Sequence, residues 1–308
     1  MEPVLSYSED AGLAGEVATA AAGLAQSMGA DSKVVELDQV SPGLRCQGGV
    51  VVLKAETALE GDPDSAAGAI AGFASSHGFS AILIGDTRFG TLVAGKVAAR
   101  LKVGALGKGK KIRADEKEIV IERDVYGGRY VAQVSAPAPC VALVQRGGYA
   151  ASEADAGPVE TIAVKVPEPK VTILELRQLE RGGQDVKSAS IVVSAGRGFA
   201  KKEDLALAVD LSHALGAALG CSRPLSSDLG WLGEEAHIGL TGAYVHPKLY
   251  LAVGISGQLQ HVAGIKDSKV IVAINKDPQA PIFQYSDYGI VGDLYAVLPA
   301  ITKALKRR

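Results

Sequence analysis

The sequence predicts an α/β protein of two domains: an N-terminal α/β domain with a mainly parallel sheet, and a C-terminal Rossmann-like domain. Three observations carry this. Ala-rich helical stretches alternate with short β-branched runs through the first hundred positions, the pattern of βα units. Strand, glycine turn and helix recur from residue 190 onward. The length, 308 residues, also exceeds what one core organises, roughly 250–300 residues.

In the first half, "LAGEVATAAAGLAQSMGA" (13–30), "AAGAIAGFASSHG" (66–78) and "TLVAGKVAARL" (91–101) read as helices. "KVVEL" (33–37), "GVVVLKA" (49–55) and "SAILIGD" (80–86) read as buried strands. From 118 to 145 the pattern becomes strand, turn, strand, with "GG" between apolar alternations as a hairpin signal. The stretch 148–189 is richer in Pro, Gly and charge; it predicts one last strand, "KVTILEL", then a linker through "RGGQD". The boundary is placed near 188, giving domains 1–188 and 189–308. In the second half, "SIVVS" (190–194), "LYLAVGIS" and "KVIVAIN" predict strands. Residues 202–219 predict an amphipathic helix through Leu205, Val209, Leu215 and Leu219; "GQLQHVAGI" predicts a short helix and 290–306 a closing one.

Composition narrows the function classes. The chain is 47% hydrophobic and 21% charged with net charge −2, which offers neither a nucleic-acid surface nor a polybasic membrane anchor. Cys46, Cys140 and Cys221 are odd in number and widely spaced, so they suit a reducing compartment better than a disulfide framework. The five histidines show no zinc spacing. No apolar run approaches the roughly 20 residues of a membrane span. The acidic start, "MEPVLSYSEDAG", differs from a basic presequence, so a cytoplasmic protein is expected, with a mature mitochondrial-matrix form as the alternative.

Each glycine motif competes with another reading. "GRGFAK" (196–201) resembles the opening of G-x-G-x-x-G, but Lys201 occupies the third glycine position and the next strand runs into "CSRP" instead of a ribose-binding acid. A nicotinamide site is disfavoured; a phosphate-facing turn with Arg197, or a plain turn, remains open. "GALGKGKK" (104–111) ends in Lys111 where a Walker loop needs Ser or Thr, and reads as a Gly- and Lys-rich loop. "GISGQLQHVAG" (254–264) has Gln258 where the hydrolase elbow G-x-S-x-G needs glycine, which argues against Ser256 as a nucleophile.

What survives is a set of five turns at strand ends: "AGRG" (195–198), "CSRP" (221–224), "HIGLTG" (237–242), "GISGQLQH" (254–261) and "AINKD" (273–277). In an open α/β sheet such turns meet in one crevice beyond the carboxyl ends of the strands. Ser256 and the N–H groups around Gly257 suit phosphate, while Arg223 and His261 are expected to bring positive charge to a ring held there. A flavin gains from that charge when reduced. The alternative is an adenine-nucleotide-binding α/β module without a redox role, for which Arg223 and His261 would be surplus.

These turns, in this order, resemble the C-terminal FAD-binding domain of the electron transfer flavoprotein alpha subunit, across essentially all of 190–308. The densest part is "LYLAVGISGQLQHVAGIKDSKVIVAINKDPQAPIFQYSDYGIVGDL". In the first half, "AILIGDTRFGTLVAGKVAARL" and "RDVYGGRYVA" are similar to segments of the same family. The resemblance implies one bound FAD and a heterodimer with an electron transfer flavoprotein beta subunit. It implies flavin dehydrogenase donors and a quinone reductase or other acceptor, an electron carrier rather than a substrate-converting enzyme. It places Arg197 and Gly198 by the FAD phosphate or adenosine side, and Ser222 and Arg223 by the flavin ring. Ile238, Gly239, Leu240 and Thr241 would lie beside the cofactor, Thr241 near flavin N5. Gly254, Ser256, Gly257, Gln258, Leu259, Gln260 and His261 would wrap the pyrophosphate and ribityl chain, with His261 at the pyrimidine carbonyl. Asn275, Asp293 and Leu294 would hold the adenosine end. The chain departs from the family in having Leu240 where a Gln is usual, His237 for a common Gln, and Asp124–Val125 for Pro-Ile.

Overall fold

The computed structural model describes residues 2–46, 48–59, 61–152, 157–166 and 185–306. The chain divides into two compact units, Met1–Arg177 and Gln178–Arg308. The expected strand "KVTILEL" and most of "RGGQD" lie outside the described residues.

The first unit runs β1 (Val4–Tyr7), α1 (Ala11–Met28), β2 (Ser32–Leu37), β3 (Gly49–Lys54), α2 (Pro63–His77), β4 (Ala81–Gly85), α3 (Arg88–Leu101), β5 (Gly104–Gly109), β6 (Lys111–Asp115), β7 (Glu118–Val125), β8 (Tyr130–Pro137), β9 (Cys140–Val144) and β10 (Val159–Ala163). Seven strands form a parallel sheet in the order β10-β3-β2-β1-β4-β9-β5. Each long helix begins where a polar side chain accepts an otherwise orphaned N–H: Asp10 from Leu13, Asp62 from Ser65, Thr87 from Gly90. α2 and α3 pack on one face through Ile70, Phe73, Val93 and Val97. On the other face lie α1, through Leu13, Val17 and Leu24, and the antiparallel sheet β6-β7-β8, through Ile119 and Ile121.

Several of these strands were not anticipated; the second strand expected within 118–145 is in fact two, β8 in the antiparallel sheet and β9 in the parallel one. β1, in the sheet centre, is only four residues long. "GALGKG", expected as a loop, is the edge strand β5, whose register shifts between Leu106 and Lys108. Edge position and a bulge tolerate glycine and lysine that a central strand would not. β10 sits at the opposite edge against β3 alone. The predicted hairpin is present as β7–β8, with Val125 opposite Tyr130 and Gly128 at φ +87° in the turn.

The second unit contains β11 (Ile191–Ala195), α4 (Ala206–Leu215), β12 (Ala218–Cys221), β13 (Leu249–Val253), α5 (Leu259–Val262), β14 (Ile271–Asn275), β15 (Tyr288–Val291) and α6 (Leu294–Leu305). Its five strands are all parallel, in the order β12-β11-β13-β14-β15. α4 and α6 cover one face through Ala208, Leu211 and Leu298. The other is covered by irregular chain carrying Ile238, Val245, Ile265 and Ile282. The helix expected over 202–219 stops at Gly216, whose φ of +60° closes it and sends Leu219 into β12. The closing helix starts at Leu294, because Ile290 and Val291 belong to β15.

Because every strand is parallel, every carboxyl end lies on one edge. The chain leaves β11 for β12 on one side and then crosses to β13 on the other. The switch point between β11 and β13 is therefore where an open α/β sheet binds its ligand.

Candidate functional site

The turns after β11 and β13 meet at that switch point. The Gly198 N–H donates to the Gly254 carbonyl at 2.9 Å, and the Gly196 N–H to that of Val253 at 2.9 Å. A Cβ on Gly198 would stand 2.6 Å from Gly254 Cα, so only glycine lets the two backbones touch. Leu294, buried at the start of α6, closes the floor beneath both. Asn275 braces the β13 turn from β14, donating through Nδ2 to the Ile255 carbonyl at 2.9 Å; its Oδ1 accepts from the Asp277 N–H. Asp293 caps α6 by accepting from the Tyr295 N–H.

The stretch 254–261 is held by its carbonyls. That of Ser256 accepts from Ile282, that of Gln258 from His261 and Val262, and that of Gln260 from Leu240. Gly257, at φ +87°, is pressed so closely to the chain at Pro281–Ile282 that a Cβ would lie 2.2 Å from the Ile282 nitrogen. Among the described hydrogen bonds, none uses the N–H groups of Ser256, Gly257, Gln258, Leu259 or Gln260. Five consecutive donors with no internal acceptor, beside a glycine in the left-handed region, form an anion-binding concavity.

Positive charge stands on the same sheet edge. Arg197 follows β11 and Arg223 follows β12; both are exposed, and neither is ion-paired among the described residues. Ser222 is buried, its N–H donating to the Ala195 carbonyl. The segment 237–242, expected at a strand end, follows a short turn at 234–236 instead and is pinned by isolated bridges, Cys221 to His237 and Ile238 to Ala243. Ile238 and Gly239 are buried in it, while Leu240 and Thr241 are exposed. The Leu240 N–H bonds to the Gln260 carbonyl at 2.7 Å, tying this segment to the β13 turn.

His261, expected to bring positive charge, is buried in the turn after β13 and uncharged. It is 7% exposed, and burial lowers its pKa to about 4, against a smaller upward pull from the Ile238 backbone. The imidazole is neutral at pH 7. In that state the ring offers hydrogen bonds and no charge. Its Nε2 lies 2.8 Å from the Tyr250 hydroxyl, and its buried Nδ1 has no partner in hydrogen-bonding geometry. Sequence reading missed Tyr250. The signal was a tyrosine among aliphatic residues in "LYLAV": at a fully buried strand position its hydroxyl needs a partner.

This geometry defines a dinucleotide-binding α/β domain: a glycine-lined switch point, a run of free N–H donors, flanking arginines and a buried imidazole. The residues fit FAD, whose pyrophosphate needs such donors and whose ring offers acceptors to an orphaned nitrogen. The comparisons agree. Residues 185–266 match the family model described as "Electron transfer flavoprotein FAD-binding domain", and residues 12–167 match that of the "Electron transfer flavoprotein domain". Protein FixB of Escherichia coli strain 55989 / EAEC is 39% identical over 259 residues, 81% of this chain and 83% of FixB. Protein FixB from strain HS (O9:H4) and from strain K12 is 38% identical over the same coverage.

The chain belongs to the electron transfer flavoprotein family, and within it to the alpha subunits, with FAD as its cofactor. The FAD-domain match ends at 266, so Asn275, Asp293 and Leu294 lie beyond it. Among the described residues no helix is long and apolar enough to cross a membrane, and no cluster of three or more His, Cys, Asp or Glu could hold a metal.

Proposed function

We propose that this chain is the FAD-carrying half of a heterodimeric electron carrier. It pairs with a beta subunit, receives electrons from flavin dehydrogenases and passes them to a quinone reductase or another acceptor, in the cytoplasm. FAD, when bound, supplies the redox chemistry. The chain's own residues bind, orient and tune it.

The single observation that carries this reading is the run of unengaged N–H groups from Ser256 to Gln260 at the sheet's switch point. Those donors and Arg197 hold the pyrophosphate. Ser222, Arg223 and Thr241 face the ring, and His261 donates to the pyrimidine carbonyl. Asn275, Asp293 and Leu294 shape the adenosine end by holding turns rather than by offering free polar groups. The first unit supplies partner contacts. Tyr126, Tyr130 and Val131 support this: they stand exposed on the β7–β8 hairpin at 81%, 65% and 64%.

The test is the absorption spectrum of the purified chain, alone and co-expressed with a beta partner, followed by release and identification of the cofactor. One FAD per chain is expected. A colourless preparation that takes up no added FAD in either form would overturn the reading in favour of a nucleotide module.

A further inference from the structure

We propose that Tyr250 is a positioning residue for His261: its hydroxyl donates to Nε2 and so keeps the single imidazole proton on Nδ1.

Tyr250 is 0% exposed on β13, and among the described hydrogen bonds its hydroxyl has one partner, His261 Nε2 at 2.8 Å. Ser194, on the neighbouring strand β11, is also fully buried and its Oγ has no hydrogen bond. Burial raises the Tyr250 pKa far above its usual value, so the phenol stays protonated. The Ser194 Oγ is close enough to pull that pKa partly back down, so the phenol has two neighbours to share one proton between: His261 Nε2 and Ser194 Oγ.

Two arrangements compete. If Tyr250 donates to Nε2, the Ser194 hydroxyl donates to the phenolic oxygen, and the one group left over is the Nδ1 proton. If Nε2 carries the proton and donates to the phenol, two buried groups are left over: one hydroxyl proton of the Tyr250–Ser194 pair, which has no further acceptor among the described residues, and the bare Nδ1. Each orphaned buried polar group is costly, so the first arrangement is favoured. The Ile238 backbone, which pulls the His261 pKa upward, also agrees with a proton on the ring's other side.

The consequence concerns the cofactor, and it rests on the FAD-binding reading above. A flavin carbonyl can only accept. An Nδ1–H gives it a donor; an Nδ1 lone pair would repel it. Tyr250 thus decides whether His261 helps or hinders, without touching the flavin itself.

The experiment has two arms, both on the full chain. In the FAD-free protein labelled with ¹⁵N-histidine, long-range ¹H–¹⁵N spectra at pH 7 read which His261 nitrogen is protonated. The wild type is expected to show Nδ1–H over Nε2–H by on the order of tenfold or more, and Tyr250→Phe, which removes only the hydroxyl, to lose that preference. An Nε2–H wild type, a doubly protonated ring, or an unchanged Tyr250→Phe spectrum would overturn the proposal.

In the second arm the FAD midpoint potential is measured for wild type, Tyr250→Phe, His261→Gln and the double variant. Tyr250→Phe should lower the potential toward that of His261→Gln, and have no effect once His261 is gone. An equal shift in both backgrounds would make Tyr250 merely structural and overturn the proposal. A wild type that binds no FAD would sink the cofactor assignment, while the tautomer arm still decides the Tyr250–His261 pair.

Discussion

Neutral, buried His261 makes the FAD-free second unit acid-sensitive in a way that can be calculated. Its pKa is lowered from 6.5 to about 4, so between those values the unfolded chain binds a proton that the folded chain refuses. A depressed folded pKa gives stability that is fully present above 6.5 and lost as pH falls toward 4. The whole gap corresponds to about 3 kcal/mol, of which about 2.5 kcal/mol is gone by pH 4.5. The chain's single tryptophan, Trp231, lies in this unit and reports its unfolding by fluorescence. Urea unfolding at pH 7.5 and 4.5 should therefore show a midpoint that falls further in the wild type than in His261→Gln. With a slope of about 1–3 kcal/mol per molar urea, the difference amounts to roughly 1–2 M. Carboxylates and other histidines titrate in both proteins and cancel. Equal falls in the two proteins would refute the burial argument, and with it the claim that His261 works as a neutral donor.

Two further outcomes follow from packing. Gly257→Ala places a methyl group 2.2 Å from the Ile282 nitrogen at φ +87°; strain of at least 1–2 kcal/mol falls on the donor turn itself, so FAD affinity should drop by on the order of tenfold or more in a fluorescence titration. The thiols of Cys46, Cys140 and Cys221 are buried, and burial pushes the last two up to about 11 and about 12. An aromatic disulfide reagent at pH 8 should label none of the three in the native chain and all three in denaturant; rapid native labelling would contradict the packing around them.

Much of this architecture is legible in the sequence because the signals are local. α1, α2 and α3 announce themselves by apolar spacing and by Asp10, Asp62 and Thr87 at their starts. The edge strands β5 and β10 do not, since "GALGKG" and "VETIA" lack the β-branched runs that burial on two faces demands. Leu219 was drawn into the preceding helix because "ALGC" continues a helical spacing across Gly216; the glycine was the better guide. At the site, the glycine turns could be read from one segment at a time. The state of His261 could not. It depends on Tyr250, brought from β13 by the fold, and on burial with no carboxylate beside it. Charge state is a property of the packed site, and the imidazole's presence in the turn does not settle it.

The measurement closest to the central claim is amide hydrogen exchange across 254–262, with and without FAD. The N–H groups of Ser256, Gly257, Gln258, Leu259 and Gln260 have no acceptor among the described residues and should exchange freely when FAD is absent. Bound FAD should slow these five more than their neighbours, because its pyrophosphate becomes their acceptor. Bound FAD with exchange across 256–260 unchanged would contradict the account.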